Sequence, residues 1–148
     1  MCWTRREAVP CDSSGATVGR HAVTAALTET LHPLGPEDRA VDRELVYEAG
    51  VVATELLSNA ARACRSLIAL RLDVHHGSIR IEVYDDGPGV PVERQVRADE
   101  VGGRGLRIVD SLSTSWGTSP RPAGKCVWSE LAVVSPSAAH LDCTQRRR

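Results

Sequence analysis

Residues 68–84 read Ile-Ala-Leu-Arg-Leu-Asp-Val-His-His-Gly-Ser-Ile-Arg-Ile-Glu-Val-Tyr. Ile68, Leu70, Leu72 and Val74 alternate with Ala69, Arg71 and Asp73, which makes one apolar face on an extended segment. His75-His76-Gly77-Ser78 supplies a turn. Ile79, Ile81 and Val83 then alternate with Arg80, Glu82 and Tyr84, so the stretch predicts a hairpin.

Upstream the period is helical. Val18 to Leu31 places Ala22, Val23, Ala26, Leu27 and Leu31 on one stripe, and His32-Pro33-Leu34-Gly35-Pro36 stops it. A second helix is expected from near Glu37 to about Cys64, with Leu45, Val46, Ala49, Val52, Ala53, Leu56, Leu57 and Ala60 facing a core. Gly50 inside it signals close packing or a joint between two helical pieces. Downstream, residues 85–103 show no steady period, which suits a lid or binding loop. A short helix is expected over Leu106–Leu112, then a strand near Trp116. A turn over Pro120–Gly124 and a last strand with Val127, Ser129, Leu131 and Val133 on one face follow. The order predicts a two-layer α/β sandwich, with helices over one face of a mixed sheet. Residues 1–17 read as a poorly ordered lead-in, 18–134 as the domain and 135–148 as a tail ending in Arg146-Arg147-Arg148.

The chain has 148 residues, enough for one core without staples. A net charge of −1 gives no pull toward nucleic acid or an anionic membrane. No stretch approaches the ~20 apolar residues that span a bilayer, and no secretory leader is seen. Cys2, Cys11, Cys64, Cys126 and Cys143 are scattered and odd in number, so neither a zinc site nor a disulfide framework is expected. Free thiols point to a reducing, cytoplasmic setting.

Three segments carry chemistry. Glu55 and Asn59 are four apart on a helix, so they share a face. A carboxylate beside a carboxamide oxygen suits a hard cation such as Mg²⁺. Asp85-Asp86-Gly87-Pro88-Gly89 follows the hairpin directly, where an aspartate can accept from an exocyclic amine and glycines permit close approach. Gly102-Gly103-Arg104-Gly105-Leu106 opens a helix, a place where backbone N–H groups receive phosphate. There is no Walker A sequence. Taken singly, the first two segments read more simply as a helix surface and a turn, and a lone glycine cluster before a helix carries little weight.

Their order, at intervals of about 26 and 18 residues, resembles the GHKL ATPase superfamily. Glu55-Leu56-Leu57-Ser58-Asn59-Ala60 resembles its N-box. Asp85-x-Gly87-x-Gly89 and Gly103-Arg104-Gly105-Leu106 resemble its two glycine boxes. Within the superfamily the chain looks most similar to the stand-alone anti-sigma-factor serine/threonine kinases, also through Trp116-Gly117 and Gly124-Lys125-Cys126-Val127-Trp128. The resemblance spans about residues 18–134 and implies a Bergerat-type ATP-binding fold. It implies Glu55 as general base, Asn59 as Mg²⁺ ligand and Asp85 as the partner of the adenine amine. Gly87 and Gly89 would shape the pocket floor. Gly103 and Gly105, with the backbone of Arg104 and Leu106, would hold phosphate under a lid over 90–102.

Two positions depart from the pattern. Cys126 stands where the family usually carries a threonine that supports the aspartate, and a thiol is a weaker donor. Ala63 stands where a histidine is frequent. Arg62 is placed to pair with Glu55, to approach phosphate or to lie in solvent. Trp116 and Trp128 are expected to pack on the sheet or a partner.

The resemblance implies a kinase that phosphorylates a small anti-anti-sigma partner and sequesters a sigma factor, without direct contact to nucleic acid. A non-catalytic module that grips its partner when ATP orders the lid is the alternative. A histidine-kinase catalytic fragment would need another chain for its phospho-acceptor helix pair, and a gyrase-like ATPase is not expected because no transducer domain is read in this sequence. Relatives often dimerise, so a homodimer is compatible.

Overall fold

The computed structural model describes residues 2–31, 36–75, 77–88 and 104–134. Its elements are β1 (Trp3–Val9), α1 (Gly15–Thr30), α2 (Pro36–Ala63), β2 (Ile68–His75), β3 (Ser78–Asp85), α3 (Arg104–Leu112), β4 (Ser115–Arg121) and β5 (Gly124–Ala132). The strands form one sheet in the order β1-β2-β3-β5-β4. The two-layer α/β sandwich is as the periodicity predicts.

Every neighbouring pair of strands is antiparallel, so the sheet is not mixed. The reason is the placing of β5. β3 and β4 run the same way, but the β4–β5 hairpin inserts β5 between them. No parallel neighbours remain.

The core lies between the sheet and α1 and α2. Ile68, Leu70, Leu72 and Val74 of β2, Ile79, Ile81 and Val83 of β3, and Val127 and Leu131 of β5 are buried there. Val23, Ala26 and Leu27 of α1 meet Ala49, Val52, Ala53, Leu56 and Leu57 of α2 in the same cluster. The 2-residue and 3.6-residue periods thus converge on one apolar layer. α2 runs unbroken through Gly50, and a Cβ there would lie 2.9 Å from the Thr24 methyl. Gly50 therefore marks close helix packing, not a joint.

Two further expectations are overturned. The segment read as a poorly ordered lead-in forms β1, paired along its length from Trp3↔Val74 to Val9↔Ile68. It lacks an apolar face because it is an edge strand: Arg5 and Glu7 pair at 2.8 Å at the sheet margin. Charged edges of this kind discourage further strand pairing.

The second correction concerns the cysteines. Cys11, after β1, and Cys64, one residue beyond α2, are joined in a disulfide across 53 residues of sequence, with Cα atoms 6.1 Å apart. Cys2 is also disulfide-bonded. Only Cys126 is a free thiol among the described residues. Proximity of Cys11 to Cys64 depends on β1 pairing with β2, which no periodicity in residues 1–10 announces. The free-thiol argument for a reducing compartment falls with it. Among the described residues no helix is long and apolar enough to cross a membrane.

Closing a loop of this length removes chain entropy from the unfolded state worth about 4 kcal/mol. Urea unfolding with and without a dithiol reductant should show a loss of about 2–4 kcal/mol, reproduced by Cys64→Ser. Equal midpoints in the two conditions would show that the bridge is absent or carries no constraint.

Candidate nucleotide site

The C-terminal half of α2 brings the first pair of site residues to one place. Leu56, Leu57 and Ala60 are locked in the core, which fixes the helix rotation. Glu55 is then half-buried and Asn59 only 9 % exposed. Neither side chain makes a hydrogen bond or ion pair among the described residues. Arg62 is exposed and does not pair with Glu55.

The end of α2 docks onto the turn after β3. Asp86 accepts the backbone N–H of Arg65 at 2.8 Å and that of Ser66 at 3.1 Å, and the Ser66 hydroxyl at 2.6 Å. Those hydrogen bonds, the Ser66 hydroxyl first, hold its carboxyl well below the usual carboxylate range. Gly87 packs on the last turn of α2, where a Cβ would collide with the Ala63 carbonyl. The first glycine box and the N-box helix are therefore one rigid joint.

Asp85 closes β3 with its carboxylate on the helix side. The Gly87 N–H donates to Oδ1 at 3.0 Å. Lys125 Nζ lies 3.0 Å from Oδ2 in an ion pair. The ammonium is off the line a hydrogen bond needs, so buried Oδ2 has no hydrogen-bond partner. The pairing Asp85↔Lys125 on adjacent strands puts the two side chains on one face. By alternation Cys126 points the other way. It is buried opposite Tyr84 and close to Glu82 and Arg121, and burial, then Glu82, pushes its thiol pKa up. The structure thus does not bring Cys126 to Asp85; Lys125 stands there. Sequence reasoning missed Lys125, although the signal was available. It is the only lysine in the chain, and it lies one step from the expected threonine position.

The second glycine box meets the N-box. α3 begins at Arg104, and a Cβ on Gly105 would lie 2.5 Å from Glu55 Oε2. The helix start thus lies directly against the carboxylate, which a larger residue at 105 would displace. Leu106 is 5 % exposed and anchors the turn from below. Gly89, Gly103 and the lid expected over 90–102 lie outside the described residues, as does the tail over 135–148.

The opposite sheet face is distinct. A groove of about 700 Å³ there is lined by Thr4, Arg71, Asp73, Arg80 and Glu130 among others, and by none of the motif residues. Arg80 bonds Glu82 and Glu130, each at 2.7 Å, and lies 4.2 Å over the Trp128 ring. Trp116 donates to Asp110 at 2.8 Å and packs at the edge of the core. No cluster of three or more His, Cys, Asp or Glu able to hold a metal occurs among the described residues.

Two outcomes follow from the joint. Gly87→Ala sets a Cβ against backbone that cannot rotate away, and should cost about 2–3 kcal/mol in urea unfolding. A change within experimental scatter would mean that the turn is not seated on α2. The Asp86 carboxyl is depressed on folding, so its contribution is present above the ordinary carboxylate pKa and lost as pH falls. Stability measured below about pH 4 should therefore fall less steeply in Asp86→Asn than in wild type. Parallel curves would contradict the hydrogen-bond assignment.

No curated protein matches the chain. The family model described as the histidine kinase-like ATPase domain matches residues 19–130. The match covers the N-box helix, the Asp85 turn, the start of α3 and most of β5, the segments just shown to converge. The chain belongs to the histidine kinase-like ATPase domain family, within the GHKL superfamily.

Proposed function

We propose that this ATP-binding GHKL domain is a protein serine/threonine kinase of the anti-sigma-factor type, using Mg-ATP to phosphorylate a small anti-anti-sigma partner. The observation that carries the kinase reading is the contact of Glu55 with Gly105. It sets a half-buried carboxylate, with no ion pair among the described residues, against the helix start that the family uses for phosphate.

In this reading Asp85 accepts from the adenine amine, and Gly87 with Gly89 forms the pocket floor. Asn59, whose carboxamide has no partner among the described residues, offers its oxygen to Mg²⁺. The fit is reasonable for a metal that takes its remaining ligands from phosphate and water. Bound Mg-ATP would supply the transferable phosphoryl group and charge neutralisation. Gly103 and Gly105, with the backbone N–H groups of Arg104 and Leu106, orient the phosphates. Glu55 takes the proton from the partner's hydroxyl as that oxygen attacks. Cys126 has no role in this site, because it faces the other side of the sheet. Sequestering a sigma factor, without touching nucleic acid, would make the protein a transcription regulator. A cytoplasmic setting is proposed on the supply of ATP alone, and a homodimer on resemblance alone.

Calorimetry should give magnesium-dependent ATP binding in the micromolar to millimolar range, weakened about tenfold or more by Asp85→Asn. With labelled ATP and an anti-anti-sigma-type protein, Glu55→Ala should slow transfer about 10²- to 10⁴-fold while ATP still binds. Tight partner binding with no transfer in wild type would favour the non-catalytic module. Absence of ATP binding would overturn both.

A further inference from the structure

Asp85 and Lys125 form a buried pair that neither the fold nor the proposed phosphoryl transfer requires. The Asp85 side chain is 1 % exposed and that of Lys125 11 %. Removing two charges from water costs more than one imperfect contact returns, so an isolated pair of this kind is a poor stabiliser. Apolar residues at the same two positions would extend the surrounding core, as Val83 and Val127 do one pair away.

The pair is also incomplete. Oδ1 is occupied by the Gly87 N–H, but Oδ2 has no hydrogen bond. Lys125 touches one counter-charge, at Asp85, and has no further partner among the described residues. An ammonium has three N–H donors. The turn therefore presents an open acceptor and an open donor side by side. Adenine offers the complement on one edge: the N6 amine donates and the adjacent ring N1 accepts. A 6-oxopurine in the same pose sets its O6 against Asp85 and its N1–H against Lys125, two repulsive meetings.

Resting on the nucleotide assignment above, we propose that Lys125 is a specificity-determining residue that donates to N1 of adenine while Asp85 accepts from N6. It takes over, from the neighbouring position and as a charged donor, the support that a threonine hydroxyl at position 126 would have given. Charge-assisted bonds are the stronger kind, so the missing hydroxyl need not weaken the base site.

Nucleotide analogues test this directly. Wild type should bind 1-deaza-ATP, which lacks the N1 acceptor, and inosine triphosphate each at least tenfold more weakly than ATP. It should bind 7-deaza-ATP, which keeps N1, as it binds ATP. In Lys125→Met, ATP and 1-deaza-ATP should bind equally. Because that variant leaves Asp85 buried without a counter-charge and can fail to fold, a wild-type measurement accompanies it. With a single lysine, ¹⁵N-lysine labelling gives one ammonium resonance, which ATP should shift and 1-deaza-ATP should leave in place. ATP binding with an unmoved resonance, or with equal affinity for 1-deaza-ATP in wild type, overturns the role of Lys125 and leaves the site standing. No binding of any of these nucleotides overturns the site itself.

Discussion

The seating of the β3 exit turn on the end of α2 is the constraint on which the site depends. One carboxylate, Asp86, collects two backbone N–H groups and a hydroxyl just beyond the helix. One glycine, Gly87, lets the two backbones touch. Without that joint, Glu55 and Asn59 on a helix and Asp85 on a strand would be related only through the packing of the core. Helix rotation is set by Leu56, Leu57 and Ala60, and strand register by the hairpin. The joint turns two separate locks into a single pocket wall.

Burial divides the labour between the faces of the sheet. On the helix side, the apolar alternation of β3 and β5 is broken by Ser129 and, at the strand end, by the charged pair of Asp85 and Lys125. On the other side, charges pair with one another. Arg80 bonds Glu82 and Glu130 and covers the Trp128 ring, and Tyr84 donates to Glu82. Arg71 forms ion pairs with Asp73 and Glu82, although its buried Nε makes no hydrogen bond. At the site, Oδ2 of Asp85 is a buried acceptor left without a hydrogen bond, which a ligand donor would complete.

Much of this was legible from residue order. The alternation in 68–84 located β2 and β3, and the 3.6-residue stripe in 45–60 located the buried face of α2. Spacing linked Glu55, Asn59, Asp85 and Gly105 before any contact was known. Features created by long-range pairing were not legible. β1 carries charge on both faces because it is an edge, so its strand character comes from backbone bonds to β2, not from its side chains. The Cys11–Cys64 bridge depends on that same pairing. The side on which residue 126 falls is a matter of register, and a one-residue step moves a side chain through the sheet. Motif position alone therefore placed Cys126 where Lys125 stands.

The central claim is that the N-box helix and the glycine-box helix start share one bound nucleotide-metal complex. Manganese is a paramagnetic stand-in for magnesium at oxygen-ligand sites. Titrating ¹⁵N-labelled protein with ATP and a trace of Mn²⁺ should broaden the amide signals of Asn59, Glu55 and Gly105 first. The Trp128 indole, across the sheet, should stay sharp. Broadening centred on Trp128 and Arg80, with Asn59 and Gly105 unaffected, would contradict the account.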